Sequence, residues 1–264
     1  MTEVHNSAAG QNLSTVFRAE AWRLFGLTRL LVALSATAVL AALSVVGTLE
    51  LIKLLSNTEP LAMEPAPLAL SVGAFVAASL LGVVATLEVS RERLDGTVTS
   101  MLRVVPNRFR ALMARSLALA LLGLCAGLAW VAMAIAYLGA QGGPGFGSSS
   151  LVANVIGGVL GIVLCVLVVT LLAVAIQNGI LSLLACVLLF LVLPLVVAPL
   201  GLFGRLGWSR AGDFILNLLP GSLASNLMAP PLDRPEVALF SLLGMLVWVA
   251  VMGALAHLRF SSVS

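Results

Sequence analysis

Opposite charges crowd into residues 88–95, where Glu88, Arg91, Glu92 and Arg93 follow one another closely. Carboxylate and guanidinium groups at such spacing form ion pairs. We therefore favour structural ion pairing for Glu88 over direct contact with a substrate. Its candidate partners are arginines of the same segment and of residues 13–29: Arg91, Arg93, Arg18 and Arg23.

Other side chains that could do chemistry are few and scattered. Cys125, Cys165 and Cys186 lie in apolar segments without metal-ligand spacing, so we interpret them as packing residues. His5 and His257 form no histidine cluster, and no G-x-x-x-x-G-K-[ST] phosphate-binding loop occurs. The sequence predicts no catalytic residue, no metal site and no cofactor bound by this chain, which is not expected to be an enzyme.

The elements that hold these residues are predicted to span a membrane. Of 264 residues, 61% are hydrophobic and 9% are charged, and residues 116–204 contain no Asp, Glu, Lys or Arg. A charged side chain at the bilayer centre costs about 2.5–3.5 kcal/mol, so charges collect in loops. The composition predicts an all-α integral membrane protein.

Six transmembrane helices account for the uncharged intervals, since a crossing takes roughly 20 apolar residues. The longest interval is divided by the Gly/Pro/Ser run of residues 141–150 and by the Gln-Asn-Gly break at residues 177–179. The predicted spans are Leu30–Leu49, Leu68–Leu87, Ser116–Leu138, Leu151–Ile176, Ile180–Leu200 and Val237–Leu258.

The distribution of Lys and Arg predicts the orientation. With an even number of spans both termini share a side, and that side holds most of the basic residues. Because cytoplasmic loops retain positive charge, both termini are predicted to be cytoplasmic. The net charge of +3 then reflects topology and gives no reason to expect nucleic acid binding. The Arg-, Ala- and Leu-rich usage is typical of GC-rich bacterial genomes and indicates a bacterial plasma membrane.

The segment before the first span is amphipathic. It places Leu13, Phe17, Ala21 and Leu24 at helical spacing among charged residues. The pattern predicts an N-terminal interfacial helix on the inner membrane surface, with Trp22 at the depth of the lipid headgroups. The alternative is a polar lead-in whose arginines only anchor the first span.

The segment between the second and third spans, residues 88–115, is too long for a simple turn. Gly96 interrupts the second span, Thr97 can cap a new helix, and Pro106 ends that helix. Its apolar positions recur at helical spacing: Val98, Met101, Leu102 and Val105. We predict a short amphipathic cytoplasmic helix suited to docking a partner.

These residues carry a family resemblance. Glu92-x-x-x-Gly96-Thr97, followed by Pro106, Arg110 and Arg115, resembles the second-to-third-span loop of type 2 ATP-binding-cassette (ABC) transporter permeases. The six-span plan and the lead-in FRAEAWRLFGLTR are similar to the same family. In these permeases an N-terminal connecting helix precedes the first span, and the loop holds a coupling helix that fits a groove on the ATPase subunit. The resemblance implies that coupling here is carried by Glu92, Gly96, Thr97, Val98, Met101 and Leu102.

The apolar residues 214–228 are too few to cross a membrane, and Pro220-Gly221 lies in their middle. We predict a re-entrant hairpin between spans 5 and 6, within the external segment 211–230, and similar hairpins occur in the permease family. The alternative is an amphipathic segment that lies flat on the outer leaflet.

The predicted organisation is a cytoplasmic tail with a connecting helix, residues 1–29, and a permease domain, residues 30–264. The resemblance implies a subunit of an ATP-driven exporter of a lipophilic or amphipathic substrate: a drug, a peptide or a lipid. Trp130 and Trp248 are candidate contacts for that cargo. ATP and Mg would bind to two separate ABC ATPase subunits, and a second permease copy would complete a homodimer or heterodimer among membrane lipids.

Two other functions stay open. One is a membrane assembly or anchoring protein that docks a cytoplasmic partner without transport. The other is an ion-coupled carrier, which the sequence disfavours because the interiors of the predicted spans offer no ionisable residue.

Overall fold

A computed structural model describes residues 13–26, 28–56, 65–95, 108–140, 149–192, 217–229 and 234–261. Within these ranges the chain forms helices and no strand. Five of the helices are long and apolar enough to cross a membrane. The all-α, membrane-embedded class that the composition predicts is therefore confirmed.

The helices follow the predicted hydropathy closely. They are α1 (Leu13–Phe25), α2 (Thr28–Ser56), α3 (Pro65–Leu94), α4 (Arg108–Ala140), α5 (Ser149–Ile176), α6 (Gly179–Val187, continued by a π-helical turn at Leu188–Val192), α7 (Pro220–Met228) and α8 (Pro235–Ser261). The long apolar helices are α2, α3, α4, α5 and α8, and each contains one predicted span. The remaining predicted span, Ile180–Leu200, coincides with α6 only as far as Val192, because residues 193–216 lie outside the described part of the chain.

Helix α5 lies at the centre of the bundle. It packs against α3, α4, α7 and α8. Within its candidate span 67% of the residues are buried, against 28% in α2 and 17% in α8. A helix that is apolar on all sides, as α5 is, suits a position surrounded by other helices. Helix α5 therefore provides the central surface on which α3, α4, α7 and α8 pack.

The break between α5 and α6 is the one that the sequence predicts at residues 177–179. Gln177 adopts a φ of 62°, which is unusual for a residue other than glycine. The Asn178 side chain then caps α6, because its Oδ1 accepts hydrogen bonds from the backbone N–H groups of Ile180 and Leu181. Asparagine is among the best helix N-caps. A two-residue turn thus reverses the chain at this point.

Three contacts define one end of the bundle, which we call the basic end. The Arg93 guanidinium donates a hydrogen bond to the Val174 carbonyl at 2.6 Å. The Gln177 amide donates to the Arg259 carbonyl at 3.3 Å, and the ring of Phe109 meets that of His257 edge-on with centroids 5.5 Å apart. These contacts join the final turns of α3, α5 and α8 to the first turn of α4.

The opposite end is marked by α2 and α4. The Tyr137 hydroxyl near the end of α4 donates to the Glu50 carboxylate near the end of α2, at 3.5 Å. Helices α2 and α4 therefore run away from the basic end, while α3, α5 and α8 run toward it.

The short helix α7 packs against α5 and α8 where glycines make room. A methyl group added at Gly161 would lie 2.8 Å from the Met228 side chain, and one added at Gly244 would lie 2.8 Å from Leu223. Pro220 and Gly221, predicted as the middle of a hairpin, form the buried first turn of α7. The hairpin itself stays a prediction, because residues 211–216, at the start of the predicted segment, lie outside the described part of the chain.

Candidate functional site

Helix α1 brings a charged residue to the packed face of an amphipathic helix. Val16, Glu20 and Leu24 recur at helical spacing and are buried, and α1 lies against the first turns of α4. Trp22 points away and is 72% exposed. The predicted helix is present, and the face that it buries has Glu20 at its centre.

At the basic end, Glu92 of α3 bridges two arginines from different helices. Its Oε1 accepts a hydrogen bond from Arg23 of α1, and its Oε2 forms an ion pair with Arg115 of α4. Arg23 also donates from Nε to Glu20 at 2.9 Å. We call these four residues, Glu20, Arg23, Glu92 and Arg115, the ion network.

Three of the four residues of the ion network are shielded from solvent. Two carboxylates face two guanidinium groups, and the exposed fractions are 7% for Glu20, 4% for Glu92 and 5% for Arg115, whereas the Arg23 side chain is 32% exposed. Removing one partner of such a buried pair costs on the order of 3–5 kcal/mol, because the other charge is left uncompensated. The network therefore locks α1, α3 and α4 together at one place.

Arg23 shows the balance between burial and attraction. Its burial alone lowers the pKa, but attraction to the Glu92 carboxylate, with a smaller contribution from Glu20, raises the pKa above its ordinary value. Arg23 therefore stays protonated throughout the physiological pH range.

The sequence identified part of this network. Arg23 forms ion pairs with Glu92 and Glu20, whereas the prediction named Glu88 as its carboxylate. Glu88 is also buried, and its charge interacts with that of Arg115. The signal that could have indicated Glu20 is its spacing of three residues from Arg23 on one helix.

Arg18 and Arg91, the other predicted ion-pair residues, lie on exposed faces of α1 and α3. Within residues 13–26 and 65–95, neither is joined to a carboxylate by an ion pair. The predicted coupling residues divide as well. Glu92 is buried in the ion network, and the others lie outside the described residues: Gly96, Thr97, Val98, Met101 and Leu102.

The two tryptophans proposed from the sequence as cargo contacts differ in position. Trp130 is fully buried between two glycines, since methyl groups added at Gly73 and Gly158 would lie 2.7 and 2.9 Å from its indole ring. The Trp248 indole donates a hydrogen bond to the Leu218 carbonyl at 2.8 Å, beside an apolar groove between α7 and α8. Only Trp248 therefore borders a space that a ligand could enter.

The cysteines and histidine in the described ranges form no site. Cys165 and Cys186 are buried and Cys125 is half-buried, all as free thiols. No group of three or more His, Cys, Asp and Glu residues in the described part of the chain could hold a metal ion.

Comparison with known proteins adds no assignment. The sequence matches no protein-family model and shows no significant match to a curated protein.

Proposed function

We propose that this chain is the permease subunit of an ATP-driven ABC exporter. The observation that carries the proposal is the ion network, which joins the amphipathic helix α1 to the end of α3 and the start of α4. The motif Glu92-x-x-x-Gly96-Thr97 begins inside this network and continues into the segment proposed to meet an ATPase. A transport subunit driven by a separate ATPase needs its helices to be rigidly connected at the end that the ATPase contacts.

Glu92 acts indirectly in this proposal. Its side chain is buried and both of its oxygens are engaged, so it is not available for contact with another subunit. It instead fixes the end of α3, from which residues 96–107 lead to α4. Movement of that segment by a partner would then pass to α1, α3 and α4 together.

The directions of the helices support a six-span plan. Helix α6 begins at the basic end, directly after α5, and α8 ends there through the contact between Gln177 and Arg259. Helix α8 must therefore begin at the opposite end. The chain between Gly179 and Pro235 has to cross the bundle once, and the predicted span Ile180–Leu200 is the apolar segment available for this crossing.

The distribution of charge favours an external source of energy. Both carboxylates of the ion network are held by arginines, so neither Glu20 nor Glu92 stands free to carry a proton or cation. The sequence contains no phosphate-binding loop. We therefore assign ATP and Mg to two partner ATPase subunits, with a second permease copy completing the transporter.

The remaining features of the proposal follow from charge and apolar surface. The basic end faces the cytoplasm of a bacterium, and both termini lie there. The cargo is lipophilic or amphipathic, and the apolar groove beside Trp248 is a candidate contact for it. The hairpin predicted around Pro220 and Gly221 would close the outer mouth of the path.

Purification from the native membrane in mild detergent tests the proposal. We expect a subunit with a phosphate-binding loop to co-purify in stoichiometric amount and the complex to hydrolyse ATP. Glu92→Gln should reduce cargo-stimulated hydrolysis, while Glu236→Gln, which neutralises an exposed carboxylate of α8, should not. A pure chain without ATPase would contradict the proposal.

The same rigid connection of the helices also suits a membrane anchoring protein, because a docked partner needs a fixed platform whether or not cargo moves. Co-purification of a partner that lacks a phosphate-binding loop would favour that function. It would exclude the exporter if the complex also failed to move any substrate in vesicles.

A further inference from the structure

A cavity of about 530 Å³ lies at the basic end, on the other side of α3 from the ion network. Its walls are the last turns of α3 and the turn between α5 and α6. The volume is within the range of small-molecule sites. The polar side chains that line it are Ser90, Arg91, Arg93, Gln177 and Asn178.

The end of α3 presents different chemistry on its two sides. Glu88 and Glu92, four residues apart, are buried on the side of Arg115. Leu87, Arg91 and Leu94 recur at helical spacing on the side of the cavity, and all three are exposed. The buried carboxylates of this helix, Glu88 and Glu92, thus face away from Arg91.

The cavity is cationic. No Asp or Glu is among its lining residues, whereas Arg91 and Arg93 both are. Arg93 donates to the Val174 carbonyl near the end of α5, where a helix terminus favours positive charge.

The wall of the cavity continues into exposed apolar surface. Leu87 is 46% exposed and Ile180 is 81% exposed, and both line the cavity together with Leu183. Arg91 and Arg93 stand in the last turn of a membrane-spanning helix, which is the depth of lipid headgroups. A ligand with an anionic group and an apolar chain would satisfy both parts of the wall.

We propose that this cavity binds the headgroup of an anionic phospholipid from the leaflet at the basic end. The lipid phosphate lies between Arg91 and Arg93, with the Asn178 amide N–H group available to its remaining oxygens, and the acyl chains run along Leu87 and Ile180. The site does not depend on transport, so it stands or falls separately from the exporter function.

Lipid binding to the purified full chain tests the proposal. The chain would be titrated in detergent with phosphatidylglycerol or phosphatidylcholine and examined by native mass spectrometry. We expect preferential binding of phosphatidylglycerol and about fivefold weaker binding in Arg91→Gln, the factor that corresponds to about 1 kcal/mol per basic residue at a membrane surface. Arg91 is exposed, so this variant should fold normally.

The matched control is Arg110→Gln, which removes an exposed arginine of α4 that does not line the cavity. Equal losses in Arg91→Gln and Arg110→Gln would show general surface attraction and overturn the proposal. Equal binding of the two lipids by the unmodified chain would also overturn it. Displacement of the lipid by millimolar inorganic phosphate would identify a site for free phosphate instead of a lipid.

Discussion

Glu92 is the residue on which the basic end depends most. Both of its carboxylate oxygens are engaged, one by Arg23 and one by Arg115, and the three side chains come from three helices. In a buried site each charge stabilises the next, so the loss of the central carboxylate removes the one side chain that contacts both arginines. The effect of a substitution at Glu92 should therefore exceed that at any exposed carboxylate.

Glu92→Gln tests this at the level of stability. We expect the free energy of unfolding to fall by about 3–5 kcal/mol, because Arg115 would stay buried without the carboxylate that it contacts. Thermal unfolding in detergent measures the change, and Glu236→Gln should shift stability by about 0.5 kcal/mol or less. Adding Arg115→Met to Glu92→Gln should recover much of the loss. If Glu92→Gln alone lowered stability no more than Glu236→Gln does, the ion network would not stabilise the fold.

At the scale of the elements, glycines decide how closely the helices approach. Trp130 of α4 fits between Gly73 of α3 and Gly158 of α5. Gly47, on the exposed face of α2, has no neighbouring atom within 4 Å of an added methyl group. Gly158 is therefore closely packed against another side chain, whereas Gly47 has open space around it.

Gly158→Ala should destabilise the bundle by about 1–3 kcal/mol, because the methyl group would meet the Trp130 ring at 2.9 Å. Gly47→Ala should be neutral or stabilising, since alanine favours a helix by up to about 1 kcal/mol over glycine. Thermal unfolding of both variants in one detergent gives the comparison. Trp130→Phe should partly rescue Gly158→Ala, and equal effects of the two alanines would contradict the packing argument.

Helix α7 depends on a contact between backbones. A methyl group at Gly221 would lie 2.5 Å from the Phe190 carbonyl oxygen in the π-helical turn. The space beside this carbonyl is thus taken by the first turn of α7.

Gly221→Ala should therefore displace α7 and open the surface between α7 and α8. We expect faster protease cleavage and hydrogen exchange in residues 217–229, together with a lower melting temperature. Gly139→Ala is the control, because an added methyl group there has no atom within 4 Å. Unchanged exchange in residues 217–229 would show that α7 is not held by this contact.

At the scale of the whole molecule, the number of crossings determines the sides of the termini. The described helices place α1 and the end of α8 at the same end of the bundle. Six crossings satisfy this arrangement, whereas five would separate the termini by the membrane. The side of the membrane on which each terminus lies therefore tests the six-span topology.

Fusions of green fluorescent protein and of alkaline phosphatase to each terminus report the side on which it lies. We expect fluorescence and no phosphatase activity from fusions at both Met1 and Ser264, because the proposed topology places the basic end in the cytoplasm. A phosphatase-active fusion at Ser264 beside a fluorescent fusion at Met1 would contradict the six-span topology.

The sequence alone determined the apolar helices, the break at residues 177–179 and the presence of α1. Transfer of apolar side chains out of water and the chemistry of turn residues act over a few neighbouring positions, so these features can be predicted from local pattern. The same reasoning predicted that arginines and glutamates near residues 88–93 would form ion pairs.

Only the tertiary structure decided which of them meet. Arg23 and Glu92 are 69 residues apart, and Arg93 and Val174 are 81 apart. Periodicity cannot distinguish Glu88 from Glu92 as the partner of Arg23, because the two are one helical turn apart and both face the bundle. The packing of α1 on α4 and of α3 on α5 makes that choice, and it also creates the cationic cavity beside Arg91.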